Sequence, residues 1–287
     1  MLDANLIFHV KRGDSVEQSE AGSRIEEAHY RFQLGMYFTG LKQLNGGVVY
    51  YSNRIEDPFW NYVASVDVDP ESFDAFRLAV EDVLHDLGRK PAFYITPASR
   101  PTNVDQLLTS RGYEVAFSDA WLIHNGQPVS EPPHPRNLII KPVGEDGEMD
   151  AFVRVFNLAY GSQSEGPYSG LPASYGESLL ASYRNQQAGK WVKHYLALLD
   201  DEPVGCATLV HDKRMGGLYN LGVVPKYGGK HIGPTLATRR VSDGIDAGLK
   251  LMFFQTEEGT KVERFYQERL HFTKLFAGKA FVKKEES

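Results

Sequence analysis

Apolar positions recur with two periods along this chain, and the change from one to the other marks out the elements. Val48-Val-Tyr-Tyr51 and Tyr62-Val-Ala-Ser-Val66 are β-branched and aromatic runs of strand length. Asp69-Pro70-Glu71 then reads as an N-cap, a proline at the first helical position and an acid in the first turn. Phe73, Phe76, Val80, Val83, Leu84 and Leu87 follow at helical spacing, and Gly88 stands where a helix-ending glycine belongs. A strand is expected over Phe93–Thr96, a short helix over Val104–Ser110 and a strand over Tyr113–Phe117. An earlier helix is expected over Ile25–Phe38.

The second half opens with a strand at Leu138–Val143 and a helix over Met149–Tyr160, whose Phe152, Val155, Phe156 and Ala159 share one face. Gly161–Tyr175 is polar and glycine-rich, hence a loop, and a helix is expected from there to Ala188. Tyr195–Leu199, Val204–Val210 and Leu218–Val224 read as an antiparallel meander turning at Asp200–Pro203 and Asp212–Arg214. A glycine-rich turn, a helix over Pro234–Ala247, a strand over Leu251–Phe254, a helix over Lys261–Leu270 and a strand over Phe272–Val282 complete the order. The two halves repeat this order, with Arg111-Gly112-Tyr113 answering Leu270-His271-Phe272, as an internal duplication would produce. Between them Asn125–Asn137 carries Pro128, Pro132, Pro133 and Pro135 and few apolar side chains, a semi-rigid linker. Domains are therefore expected at 1–126 and 137–287, joined through 127–136.

Composition narrows the class. The chain has 287 residues, 42% hydrophobic and 24% charged, an ordinary globular mix at a length suited to two domains. No apolar run approaches the span of a bilayer, and the basic pair Lys11–Arg12 comes too late for a secretory signal, so a cytoplasmic location is expected. The lone cysteine, Cys206, excludes an internal disulfide and a thiolate metal cluster, and it alternates with Val204, Thr208 and Val210 as a core residue would. Nine histidines lack paired ligand spacing, so no metal is expected. A net charge of −6 gives no basic field, which argues against nucleic acid as a partner.

One segment carries chemistry: Leu221-Gly-Val-Val-Pro-Lys-Tyr-Gly-Gly-Lys-His-Ile-Gly-Pro-Thr-Leu236. A strand runs into a turn holding Gly228, Gly229 and Gly233 and then into a helix at Pro234. Glycines let successive amides face one concavity, and the first helical turn adds unpaired N–H groups and the positive end of its dipole. The result suits phosphate, with Lys230 as an added charge. Gly228-x4-Gly233 followed by Thr235 approaches a nucleoside-triphosphate loop, but Pro234 occupies the lysine position and excludes that reading. The glycine spacing of a dinucleotide fingerprint is also absent.

Val223-Val-Pro-Lys-Tyr-Gly-Gly-Lys-His-Ile-Gly233 resembles the motif of the GNAT (GCN5-related N-acetyltransferase) superfamily, strand–Val-x-Pro-x-(Tyr)-Arg-Gly-x-Gly-Ile-Gly–helix. The resemblance covers residues 138–284 and departs at Gly228, where Arg or Gln is usual, and at His231, where glycine is usual. It implies a mixed α/β (α+β) fold of two GNAT-like domains, each a mostly antiparallel sheet flanked by helices, the first degenerate. It implies acetyl-CoA as acyl donor and an amine as acceptor. Leu221, Val223 and Val224 would offer backbone groups to the pantetheine arm. The turn and helix start, Gly228, Gly229, Lys230, His231, Ile232, Gly233, Pro234 and Thr235, would hold the pyrophosphate.

By the same resemblance, Tyr266 in Phe265-Tyr266-Gln-Glu-Arg-Leu-His-Phe272 would protonate the leaving thiolate, with Glu263 or Gln267 taking that place in other registers. A packing tyrosine is the other reading. Candidate bases, acting through water, are Glu257, Glu258, Tyr219 and Asn220. Glu165, Tyr168 and Tyr175 would line the acceptor side. The first half has Val66-Asp-Val-Asp-Pro-Glu71 where the glycine turn would be, and Asp67, Asp69 and Glu71 repel phosphate. The expected activity is acetyl transfer to a small-molecule or peptide primary amine, without nucleic acid or membrane partners and with a homodimer in view. The alternatives are transfer of a longer acyl or aminoacyl group, or acyl-CoA binding without catalysis.

Overall fold

The structure is a computed structural model and describes residues 15–161, 170–185 and 190–284. In chain order the first half forms α1 (Ser15–Gln33), β1 (Gly40–Leu44), β2 (Gly47–Tyr51), β3 (Tyr62–Ala64), α2 (Phe73–Asp86), β4 (Ala92–Ile95), α3 (Val104–Ser110) and β5 (Tyr113–His124). The second forms β6 (Leu138–Pro142), α4 (Asp146–Tyr160), α5 (Ala173–Arg184), β7 (Trp191–Leu199), β8 (Glu202–His211) and β9 (Met215–Val223). It ends with α6 (Ile232–Asp246), β10 (Leu251–Glu257), α7 (Lys261–Leu270) and β11 (Thr273–Lys283). The result is a mixed α/β fold with mostly antiparallel strand pairing.

The chain divides into two compact units, residues 1–122, 255–263 and 274–287, and residues 123–254 and 264–273. In the first, strands lie in the order β1-β2-β3-β4-β11-β5. Strand alternation sorts its side chains onto two faces. Val49, Val63 and Phe93 pack with Phe73, Phe76, Val80 and Leu84 of α2 and with Leu108 of α3. Tyr62 and Tyr94 lie on the opposite face, where α1 contributes His29 and Tyr30. β11, which the sequence places with the second half, pairs antiparallel with β4 here, Phe281 opposite Phe93.

In the second unit β7 to β9 form the expected meander, β6 pairs antiparallel with β7, and β10 runs parallel to β9, giving the order β10-β9-β8-β7-β6. The first unit repeats this arrangement: a meander ends in β3, and β4 pairs parallel to it after α2. Helices cover both faces of the second sheet. A Cβ on Gly205 would stand 2.9 Å from Leu236 of α6. A Cβ on Gly222, opposite Cys206 and so facing the other way, would stand 2.7 Å from the Cβ of Ala159 on α4. That contact is with a helix's own backbone-fixed carbon, which cannot swing aside. Gly222→Val is therefore expected to cost about 3 kcal/mol through overpacking, read as a lower midpoint in urea unfolding at unchanged m.

Three differences from the expected elements have physical causes. β1 was not expected, because Gly40-Leu-Lys-Gln-Leu44 is a largely exposed edge strand without an apolar run. β5 continues well past Phe117 through buried Asp119 and His124, polar residues that interrupt the strand pattern. α6 begins at Ile232, two residues before Pro234. Residues 125–135 contain neither helix nor strand.

Candidate active site

The site is built where two parallel strands stop pairing. β9 and β10 pair from Met215↔Leu251 to Gly217↔Phe253, and β9 then continues to Val223 against β8 alone. Its register on β8 shifts between Cys206 and Thr208, and Asn220 takes a left-handed φ of 56° at that irregularity. The bulge turns the strand's edge groups. The Tyr219 carbonyl accepts from Arg240 Nη1 at 2.9 Å, and the Leu221 carbonyl accepts from the Tyr160 hydroxyl. Tyr219 is half-buried, its ring lying over Gly217, where a Cβ would come within 2.4 Å of its hydroxyl.

Beyond β9 the chain makes a short turn at Pro225–Tyr227, passes Gly229 at φ 76° and His231 at φ 59°, and enters α6. The N–H groups of Gly229, Lys230, His231, Ile232 and Gly233 have no partner among the described residues. Their neighbours are committed. Gly228 N–H donates to Pro225 O at 2.9 Å, Thr235 N–H to His231 O at 3.1 Å, and Pro234 has no N–H to offer. Val224 is committed as well, its N–H to Val204 O and its carbonyl to Tyr227 N–H, both at 2.9 Å. The expected set of amides thus narrows to residues 229–233. Ile232 is 1% exposed and anchors this turn to Gly205, while Thr235 Oγ1 donates to His231 O at 2.7 Å and braces it. Lys230 is exposed and lies 5.3 Å from the Tyr227 ring centroid, whereas Lys226 is paired to Glu202 at 2.8 Å. Five free donors at a positive helix end, with an unpaired lysine beside them, suit a diphosphate.

His231, where the motif described above has glycine, and His271 both take left-handed backbone (φ 59° and 58°). An L-residue there carries a steric cost of about 1–2 kcal/mol. His231→Gly is expected to stabilise the protein by about 1 kcal/mol in urea unfolding, once glycine's greater unfolded-state freedom is deducted.

The remaining candidates fall in different places. Tyr266 is 4% exposed, its ring 3.9 Å from that of Phe254 and its hydroxyl accepting from Arg240 Nη2 at 2.6 Å. Burial pushes its pKa up against the opposing pull of Arg240, so it carries its proton at neutral pH. Tyr219 lies two residues past the last paired residue of β9, and Phe254 one past that of β10. Arg240 and Tyr266, which touch these two residues, therefore sit at the base of the opening. Glu257 is exposed and belongs to the first unit. Glu258 is tied up by Ser118 and Lys274, and the Lys274 ammonium holds its carboxyl below the usual range. Glu263 accepts from Gly259 N–H at 2.6 Å, and Asn220 Nδ2 donates to Thr208 Oγ1 at 3.2 Å. Gln267 is half-buried on α7. Tyr175 is buried in the first turn of α5, whereas Glu165 and Tyr168 lie outside the described residues.

Two participants escaped the sequence reading. Tyr160 ends α4 with its hydroxyl on β9. Arg240, 1% exposed, sits on the face of α6 shared by Leu236, Ala237 and Val241, and a charged residue inside an apolar stripe was the available signal. Among the described residues no group of three or more His, Cys, Asp or Glu is placed to hold a metal, and no helix is long and apolar enough to cross a membrane.

Comparison with known proteins agrees with this geometry. The model of the acetyltransferase (GNAT) family matches residues 149–272, which include the meander, the amide turn and Tyr266. No curated protein matches the sequence. Among solved structures, a GCN5-related N-acetyltransferase from Kribbella flavida is similar in fold at TM-score 0.67 and 14% identity, over 94% of this chain and 96% of that one. Another from Sphaerobacter thermophilus has TM-score 0.63 and 17% identity, over 90% and 84% of the two chains. A tandem GNAT protein from the clavulanic acid biosynthesis pathway has TM-score 0.60 and 10% identity, over 89% and 87%. Residues 149–272 thus match the acetyltransferase (GNAT) family, in a chain whose fold is similar to that of a tandem GNAT protein.

Proposed function

We propose that the second unit transfers an acyl group, with acetyl the first expectation, from acyl-CoA to a primary amine. The observation that carries this reading is the run of amides from Gly229 to Gly233 without partners among the described residues, in the turn that follows β9 after it has parted from β10. Acetyl-CoA, when bound, supplies a thioester. The chain's own part is to hold the diphosphate on those amides, with Lys230 beside it, and to receive the extended arm along β9. Val223 and the N–H of Leu221 are the strand groups left for that contact, since both backbone groups of Val224 are used and the Leu221 carbonyl accepts from Tyr160.

An attacking amine must lose a proton and the departing thiolate must gain one. Tyr266 is the proposed donor. Its oxygen accepts from Arg240, so its own O–H remains free to be given. Tyr219 is the proposed contact of a water that takes the proton from the ammonium. Incubating the protein with acetyl-CoA and a panel of primary amines should release free thiol with at least one amine. CoA binding without thiol release across a broad panel would favour the second reading, a non-catalytic acyl-CoA-binding protein. The burial of Tyr266 is the observation on that side.

A further inference from the structure

The first unit has the duplicated arrangement without the phosphate turn: Asp67, Asp69 and Glu71 are exposed where its helix begins. Its chemistry lies instead on the sheet face covered by α1. Trp60, Tyr62, Tyr94, Phe59 and Phe117 surround a space of about 10 Å³ with Asp119 in its wall, room for one water-sized group. Trp60, Tyr62, Tyr94 and Asp119 are buried and form its floor, whereas Phe59 and Phe117 are half-buried and stack at 4.8 Å on its rim.

Asp119 is 2% exposed, and among the described residues its carboxylate's one hydrogen bond is from the Tyr94 hydroxyl to Oδ2 at 3.3 Å. That hydroxyl accepts in turn from Trp121 Nε1 at 2.7 Å and Gln255 Nε2 at 3.2 Å. Among the described residues no lysine or arginine pairs with Asp119. His29 on the same wall is no substitute, since burial drives its pKa down to about 3 and keeps it neutral. Lacking a cation, Asp119 is pushed up to about 7 by burial. The Trp60 indole N–H, buried behind that wall, has no partner among the described residues. A desolvated carboxylate among aromatic rings is unfavourable when empty, and it is the arrangement that favours an organic ammonium.

We infer that the first unit binds an organic ammonium in this pocket, with the charged head on Asp119 between the Tyr62, Tyr94 and Trp60 rings and the rest of the ligand leaving past Phe59 and Phe117. The space admits one water-sized group, so the ligand is a primary amine on a slender chain, with only its ammonium inside. The site is independent of acyl transfer and of the amide turn.

Calorimetric titration of the full chain at pH 8 with ethanolamine hydrochloride, against a sodium chloride control, tests this. Saturable binding is expected, with none for the uncharged analogue ethylene glycol. Asp119→Asn keeps the shape and removes the charge, and should weaken ethanolammonium at least tenfold while leaving CoA affinity unchanged. Tyr62→Leu, which removes a ring beside the ammonium, should weaken it about 3- to 10-fold and serves if the first variant does not fold. Absence of saturable binding to the wild type, equal binding of ethylene glycol, or unchanged affinity in a folded variant of Asp119 overturns the inference. A variant with the amide turn blocked should still bind ethanolammonium, which separates this site from the acyl-transfer reading.

Discussion

Gly233→Trp should abolish measurable CoA binding while the protein stays folded. A Cβ at this position would sit 3.7 Å from Val223 and 3.8 Å from Leu221, ordinary contact distances, so a methyl group fits and nothing larger can grow toward the strand. The indole must turn toward the free amides of residues 229–233 and cover them. Charge-assisted hydrogen bonds contribute about 1.5–3 kcal/mol each, so losing two weakens binding roughly 10²- to 10⁴-fold. Gly233→Ala is the control: it improves helix propensity by about 1 kcal/mol and should bind CoA within a few-fold of the wild type. Calorimetry with CoA reads the affinity, and thermal unfolding confirms that both variants fold. Full CoA affinity in the tryptophan variant would remove the amide turn from the site.

Tyr266→Phe is the second large effect. If Tyr266 protonates the leaving thiolate, kcat should fall about 10²- to 10⁴-fold, the range of positioned acid catalysis. KM for acetyl-CoA should stay near its original value, because the diphosphate contacts are elsewhere. A stability loss of about 1–3 kcal/mol should accompany it, since the Arg240 guanidinium loses its 2.6 Å acceptor in a buried setting. The split between kcat and stability makes the result informative. A packing tyrosine would give the stability loss with kcat unchanged. Arg240 is a positioning residue in this account, bonded to the Tyr219 carbonyl on β9 and to the Tyr266 hydroxyl on α7.

The readable parts of this sequence are those fixed by local chemistry. The strand–turn–helix at 221–235 was legible because Pro225, Gly228, Gly229 and Gly233 each impose a backbone choice on their own neighbourhood. α2 was legible from Asp69-Pro70 and its spaced apolar face. What escaped depends on partners far away in the chain. Asp119 reads as a strand breaker until Tyr94, 25 positions earlier, supplies its hydrogen bond. No local signal sends Phe281 to lie opposite Phe93 on β4. Within the site, the sequence offered every backbone group of the turn equally. Only the fold separates Val224, Gly228 and Thr235, whose amides are already bonded, from the five that are not. Arg240 reads as one more charge on an amphipathic helix until burial reveals the two strand carbonyls and the tyrosine that it holds.

A crystal structure with bound CoA tests the central claim most directly. The account predicts diphosphate oxygens about 2.7–3.2 Å from amide nitrogens of Gly229 to Gly233, with the arm running along Leu221 and Val223. CoA bound at another surface, or a turn still empty in crystals grown at saturating CoA, would contradict it.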